Sequence, residues 1–299
     1  MTGVLAVQRT AVLAGRRAIV TGGAQGLGRA FALAFAAAGA RVAVCDLRPE
    51  VTAVAAEIEA RGVRGWAHCA DVTDPVAVRS FVAGAAERLG GIDIVVNNAA
   101  IMRQTSPTSD SWQKAVDDFE AVIGVNVRGC YLVGRAAIPY LIQQGGDLIN
   151  ITTDHIHTCG YPEAVGHADA AGCRWASTRR PPVGGPRYDL YDASKWALKG
   201  LTNAWAAALA GHGVRVNSLG MGATDTPMIR AHLAAKGAAA PPGMLQPEQV
   251  ADVLVELIAE GPAGRTSDSV QLWPGHHCSL PPPSLDGTLA GAQLKGASA

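Results

Sequence analysis

Charge is scarce in this chain and neither sign prevails. Only 17% of residues are charged, and 25 Lys and Arg stand against 25 Asp and Glu, so the formal net charge is zero. No basic run marks a nucleic acid or an anionic membrane as partner. Long apolar runs are missing too: stretches such as Ala30 to Ala38 are too short to span a bilayer. The first fourteen residues lack a charged start followed by a long apolar core, so no secretory signal is expected. Six cysteines lie scattered without a Cys-x-x-Cys pair and read as free thiols in a reducing cytoplasm. What the chain does have is apolar material. At 299 residues and 48% hydrophobic, it suits one large domain with a sizeable core.

After a short N-terminal extension (1–13), Arg17 to Thr21 reads as a β-branched strand. It runs into Gly22-Gly23-Ala24-Gln25-Gly26-Leu27-Gly28 and an alanine-rich helix closed by Gly39. Strand, glycine turn and helix start form a dinucleotide-binding unit, in which glycines let the backbone approach a pyrophosphate. The helix N-terminus supplies free N–H groups and a positive dipole end. The next strand, Arg41 to Cys45, ends at Asp46, 18 residues after Gly28. An acid there suits the ribose hydroxyls of NAD and repels the 2′-phosphate of NADP. Arg48 argues the other way, since it could reach that phosphate. Strands ending near Val72 and Asn97 alternate with helices at about 50–61 and 75–89, the signature of a doubly wound parallel sheet.

A second constellation lies in Tyr191-Asp192-Ala193-Ser194-Lys195, in a helix expected over 191–210. Positions four apart share a helix face, so the Tyr191 hydroxyl and the Lys195 ammonium can meet. A nearby cation favours a phenolate and lowers the tyrosine pKa from its usual value of about 10. Alone, such a pair is common on solvated helices.

Together these residues resemble the short-chain dehydrogenase/reductase family. The matching stretches are Thr21 to Gly28, Asp71-Val72, Asn97-Asn98-Ala99-Ala100, Asn126, Tyr191-x-x-x-Lys195, Arg215-Val216-Asn217 and Met221 to Met228, in the family's order over about 14–275. The resemblance implies a single-domain Rossmann fold of about seven strands and an NAD-dependent oxidoreductase acting on a secondary alcohol or ketone. It casts Tyr191 as general acid/base. Lys195 lowers the Tyr191 pKa and holds the nicotinamide ribose, with oxidised nicotinamide as a second positive charge. Asn126 holds a water in a proton relay. Gly22, Gln25, Gly26, Leu27, Gly28, Asp46, Leu47, Asp71, Val72, Asn98, Ala99, Ala100, Gly222, Thr224 and Thr226 line the cofactor site, together with Tyr191 and Lys195. A homodimer or homotetramer is implied as well, paired through the helices of Tyr191 and Asn126. Other readings are an NADP-dependent reductase of a ketone, imine or ring alkene, and a non-catalytic nucleotide-binding regulator.

The chain departs from the family pattern in two main places, beside the smaller changes of a usual glycine to Ala100 and a usual proline to Met221. Where a serine usually holds the substrate oxygen, the strand 147–153 ends in Thr153; its hydroxyl can donate and accept like serine, but its methyl narrows the site. Thr153 then precedes Tyr191 by 38 residues, implying an insertion of about 25 residues at 155–190. Long loops of this kind are usually functional or disordered, and a lid, a pocket wall or an arm to a neighbouring subunit is expected. Ser177 and Thr178 rank below Thr153 because they lack a strand end. His155, His157, Cys159, His167 and Cys173 crowd into 19 residues without a standard zinc spacing. No metal is expected; contact of His155 or His157 with substrate is the better reading, with His155 as the candidate. Residues 229–246 correspond to a segment that closes over substrate. From Pro274 a Pro/Gly/Ser-rich stretch leads into the C-terminal tail (276–299).

Overall fold

The computed structural model describes residues 12–154, 188–235, 237–240 and 242–283. Its organising layer is a seven-stranded parallel sheet with helices on both faces. The strands are β1 (Arg17–Thr21), β2 (Arg41–Asp46), β3 (Gly65–Cys69), β4 (Ile94–Asn97), β5 (Gly146–Ile151), β6 (Val214–Met221) and β7 (Ser269–Leu272), in spatial order β3-β2-β1-β4-β5-β6-β7. This single-domain, doubly wound α/β fold is the one that the strand–helix alternation implies. The central strands are apolar on both faces, as a sheet covered by helices requires. Val20 of β1 pairs with Val44 on one side and Val96 on the other, and all five β1 residues are buried.

The helices are α1 (Gly26–Ala37), α2 (Val51–Glu59), α3 (Pro75–Leu89), α4 (Trp112–Ile123), α5 (Cys130–Gln144), α6 (Asp189–Leu209), α7 (Pro227–Ala235) and α8 (Pro247–Ala259). Their ends are chemically marked. In α3 the Asp74 carboxylate accepts from Val76 N at 2.8 Å, Pro75 fills the first turn, and Gly90 closes the helix at φ 84°. Helix α8 opens on a reciprocal pair between Gln246 and Gln249. Helices α1 and α8 pack one face of the sheet around Phe31, Phe35, Leu254 and Leu257. Helices α3, α5 and α6 pack the other around Phe81, Leu141 and Trp205.

Several bounds differ from expectation for identifiable reasons. Strand β3 stops at Cys69, short of Val72, because the Asp71 carboxylate accepts from both Thr73 N and Thr73 Oγ1 at 2.8 Å and turns the chain. Strand β6 runs on to Met221 because β7 pairs with it that far, beyond the last β5 pair at Leu219. Between α4 and α5 the helix widens into a π turn over Gly124–Gly129. The continuous run Trp112–Gln144 is thus long and apolar enough by length and composition to cross a bilayer, which the apolar runs of the sequence did not suggest. Here it packs on the sheet through Val133, Ala137 and Leu141. Trp205 and Leu198 are buried, whereas Trp196 on the same helix is exposed. The segment after β7 folds back on its own chain: Arg265 Nη1 donates to Pro281 O at 2.8 Å, and Leu280 packs on the core.

Buried arginines tie the lower ends of the strands. Arg17 grips Asp93 with two parallel bonds of 2.6 and 2.7 Å, and the Asp93 bond holds the Arg17 pKa above its ordinary value. Arg215 lies 2.5 Å from the Asp147 carboxylate and donates to Leu257 O at 3.0 Å, joining β5, β6 and α8. Burial pushes the Asp147 carboxyl above its usual range even with Arg215 and Arg16 beside it. Removing one member of such a pair strands the other's charge. Arg215→Met is therefore expected to destabilise the fold by roughly 3–5 kcal/mol, read as a lowered denaturant midpoint; a change under about 1 kcal/mol would show the pair to be dispensable.

Candidate active site

A cavity of about 730 Å³ opens at the C-terminal ends of the strands, where open α/β sheets bind ligands. One end is built by the β1–α1 turn. Gly22 has φ 67°, and a Cβ there would sit 2.9 Å from Ala99 Cα, so side chains are excluded by both conformation and space. Thr21 Oγ1 accepts from the amides of Asn98 and Ala99 at 3.0 Å, and Asn98 Nδ2 donates to Thr21 O at 2.9 Å. Asn98 thus braces the turn with its side chain as well as facing the cavity. Gln25 begins α1 without a side-chain cap, so that helix N-terminus opens on the cavity with N–H groups that its own side chain leaves unbonded. A pyrophosphate fits such a cradle.

At the end of β2 the Asp46 carboxylate accepts from Ala24 N and Arg48 N, each at 3.0 Å. It is held at the cavity wall beside Leu47 and the exposed Arg48. Asp71, Val72, Ala99 and Ala100 line the same cavity, as do Gly222, Thr224 and Thr226. Thr224 Oγ1 donates to Gly222 O at 2.9 Å, and Thr226 Oγ1 accepts from Ile229 N at 3.4 Å at the start of α7. Gly28 is the exception among the expected cofactor residues. It lies behind the turn, where a Cβ would fall 2.0 Å from Gly22 O, so its service is close packing of helix on turn.

The other end of the cavity gathers Thr153, Tyr191 and Lys195. Lys195 Nζ donates to Ile151 O at 2.9 Å and lies 5.4 Å from the centre of the Tyr191 ring. Thr153 shares a hydrogen bond with the Tyr191 hydroxyl. The expected lowering of the tyrosine pKa by Lys195 is not what this arrangement produces. Burial, then the carboxylates of Asp154 and Asp192, push the phenol above its ordinary value, and only the Thr153 bond opposes them. Burial likewise brings the Lys195 ammonium down to about 8.

Asn126 stands behind the cavity in the π turn. Its Oδ1 accepts from Ile101 N at 2.8 Å, and its Nδ2 donates to Ile101 O and to Ser194 Oγ, each at 3.0 Å. Both amide hydrogens are committed, so the side chain acts as a clamp. Ser194 Oγ donates onward to Tyr191 O at 2.6 Å, fixing the turn that carries the phenol. Ser194 and Asp154 escaped the sequence reading; their signal was adjacency, one inside the Tyr-x-x-x-Lys stretch and the other beside Thr153. Tyr188 and His232 of α7 also meet edge to face, 5.3 Å between ring centres, at the mouth. His155, His157, Cys159, His167, Cys173, Ser177 and Thr178 lie outside the described residues. Among the described residues no group of three or more His, Cys, Asp or Glu could hold a metal.

With fold and site in hand, comparison with known proteins is decisive about kind. The family model described as short chain dehydrogenase matches residues 16–162, and a second, described as enoyl-(acyl carrier protein) reductase, matches 176–271. The curated oxidoreductase UcpA of Escherichia coli is 30% identical over 87% of this chain and 85% of its own. A short chain dehydrogenase from Burkholderia cenocepacia, solved with NADP, is 34% identical, covers 88% of this chain and 98% of its own, and superposes with a TM-score of 0.70. A 3-ketoacyl-(acyl-carrier-protein) reductase from Brucella melitensis, solved with NADH, is 25% identical at the same coverage, also with a TM-score of 0.70. This chain belongs to the short-chain dehydrogenase/reductase family and is an oxidoreductase of that family.

Gly28→Ala is expected to force the turn open, costing about 1–3 kcal/mol and much of the dinucleotide affinity. Gly200→Ala on α6 meets nothing within 4 Å and is the matched control, neutral or slightly stabilising. Melting temperatures with and without added dinucleotide check both.

Proposed function

We propose that the protein is an NAD-dependent dehydrogenase or carbonyl reductase that interconverts a secondary alcohol and a ketone. The observation that carries the reading is the pairing of two ends in one cavity: Thr153, Tyr191 and Lys195 at one end, and the glycine turn with Asp46 at the other. Bound nicotinamide supplies the hydride acceptor or donor. The substrate oxygen sits between the hydroxyls of Tyr191 and Thr153. Tyr191 takes the hydroxyl proton in oxidation and returns it in reduction; Thr153 steadies the oxygen. Lys195, pinned to Ile151 O, keeps a positive charge below the ring and is placed to hold a ribose hydroxyl. Asn126 and Ser194 are positioning residues, since they act through Ile101 and the Tyr191 main chain. Fixed placement of the reacting groups accounts for much of the acceleration.

Asp46 supports NAD, because a carboxylate at the ribose repels a 2′-phosphate. One observation favours the NADP reading: Asp46 already binds two backbone amides, and Arg48 lines the same wall. The Brucella neighbour with NADH and the Burkholderia neighbour with NADP bracket the two choices. The exposed Trp112, Tyr131 and Trp196, on α4, α5 and α6, support assembly into a homodimer or homotetramer.

Assaying a panel of secondary alcohols with each dinucleotide tests the reading. Turnover with NAD and little with NADP is expected. NADP preference would move the assignment to Arg48, and retained turnover in Tyr191→Phe would remove the acid/base assignment.

Oxidation requires the phenolate, and the site pushes the phenol up, so kcat/KM for oxidation should climb with pH on the alkaline side while reduction falls over the same range. Asp192→Asn removes one of the charges that raise the phenol pKa and should shift both profiles to lower pH. Unmoved profiles would show another group to be titrating.

A further inference from the structure

The catalytic end of the cavity contains an acid that the alcohol chemistry does not call for. Asp154 follows Thr153 directly and is 5% exposed. Its N–H donates to Met221 O at 3.2 Å, which extends the β5–β6 pairing past the strand end and fixes where the side chain starts. One carboxylate oxygen accepts from Thr153 Oγ1 at 3.2 Å. The other lies against Gly222, where a Cβ would come within 2.8 Å of it. Asp154 lines the cavity with Thr153, Tyr191 and Gly222, so it borders the space beside the reacting carbon.

Resting on the alcohol/ketone reading, we propose that Asp154 is a specificity-determining residue, selecting substrates that carry a hydrogen-bond donor on the carbon next to the reacting one: vicinal diols or amino alcohols, and the corresponding hydroxy or amino ketones. A carboxylate is an acceptor only. In the arrangement described, it competes with the Tyr191 oxygen for the one proton of Thr153, the proton with which Thr153 would steady a substrate oxygen. A simple secondary alcohol leaves that competition in place. A substrate whose neighbouring hydroxyl or ammonium donates to Asp154 supplies the acid with another donor and frees the Thr153 proton for the reacting oxygen. A substrate with a carboxylate at that carbon meets two acids, Asp154 and Asp192, and a lysine already bonded to Ile151 O. The same end of the site thus rejects α-hydroxy and α-keto acids. Discrimination of this kind is strong where a site hydrogen-bonds a donor that the competing substrate lacks.

The test is a matched series with NAD, or with NADP if that is the cofactor used: 2-butanol, 2,3-butanediol, 3-amino-2-butanol and lactate. The wild type should favour the diol or amino alcohol over 2-butanol by about tenfold or more in kcat/KM, with lactate poorest. Asp154→Asn and Asp154→Ala should shrink that ratio to near one, chiefly through KM for the donor-bearing substrates. The diol and amino alcohol arms separate a neutral from a cationic donor. Calorimetry on NAD-saturated Tyr191→Phe, with and without Asp154→Asn, reads the same preference in Kd without turnover, so an inactive wild type sinks the alcohol reading while the Asp154 preference is still decided. An equal loss for all substrates in the Asp154 variants, or a wild-type ratio near one in both measurements, would overturn the proposal.

Discussion

The amide of Asn126 is the joint on which the catalytic end depends. A single side chain bonds the backbone of Ile101 after β4 and the hydroxyl of Ser194 on α6, from a π turn between α4 and α5. Three separate segments are thereby held in register. A buried amide that uses both its hydrogens has no comparable alternative partner, and so it specifies one arrangement. The turn bearing Tyr191 is fixed from behind through Ser194, and the lysine one turn later is fixed at its tip by Ile151 O. Tyr191 and Thr153 meet because these anchors tie the Tyr191 helix to β5, two residues before Thr153.

Electrostatics then divides the cavity. The nucleotide end offers helix N–H groups and the carboxylates of Asp46 and Asp71, both already accepting hydrogen bonds from the chain. The catalytic end is a buried phenol with two acids near it and a lysine drawn down to about 8 by burial. A phenolate there must be supported by positive charge brought in with bound ligand.

The fold was largely legible because its signals are local. Glycines at 22, 26 and 28, the acid at 46 and the period of each helix depend on near neighbours in sequence. The candidate site was legible where spacing along one element carries geometry, as between Tyr191 and Lys195. Asp154 and Ser194 were missed because their roles arise from tertiary approach: Asp154 touches Gly222, and Ser194 bridges to Asn126. The Tyr191 phenol is raised where lowering was expected, since the helix-face argument counts the cation four residues on and the charge of bound nicotinamide and omits burial and the acids at 154 and 192. The role of Gly28 shows a subtler limit. Its presence was read correctly, but whether a glycine faces a ligand or its own chain is decided by the packing of helix on turn.

The strand order has a consequence in time. Strand β1 is central, and its second neighbour is β4, not the next strand made. Ala18 pairs with Ile94, and Gly22 is braced by Asn98 and Ala99. As the chain emerges from synthesis, one edge of β1 is therefore open until some 75 residues later. Non-local parallel pairings are slow to form and expose strand edges while they wait. The nucleotide cradle therefore closes only once β4 has been made, although its glycines are among the first residues of the chain. A dinucleotide present in the cell would find no complete cradle before β4 has docked against β1.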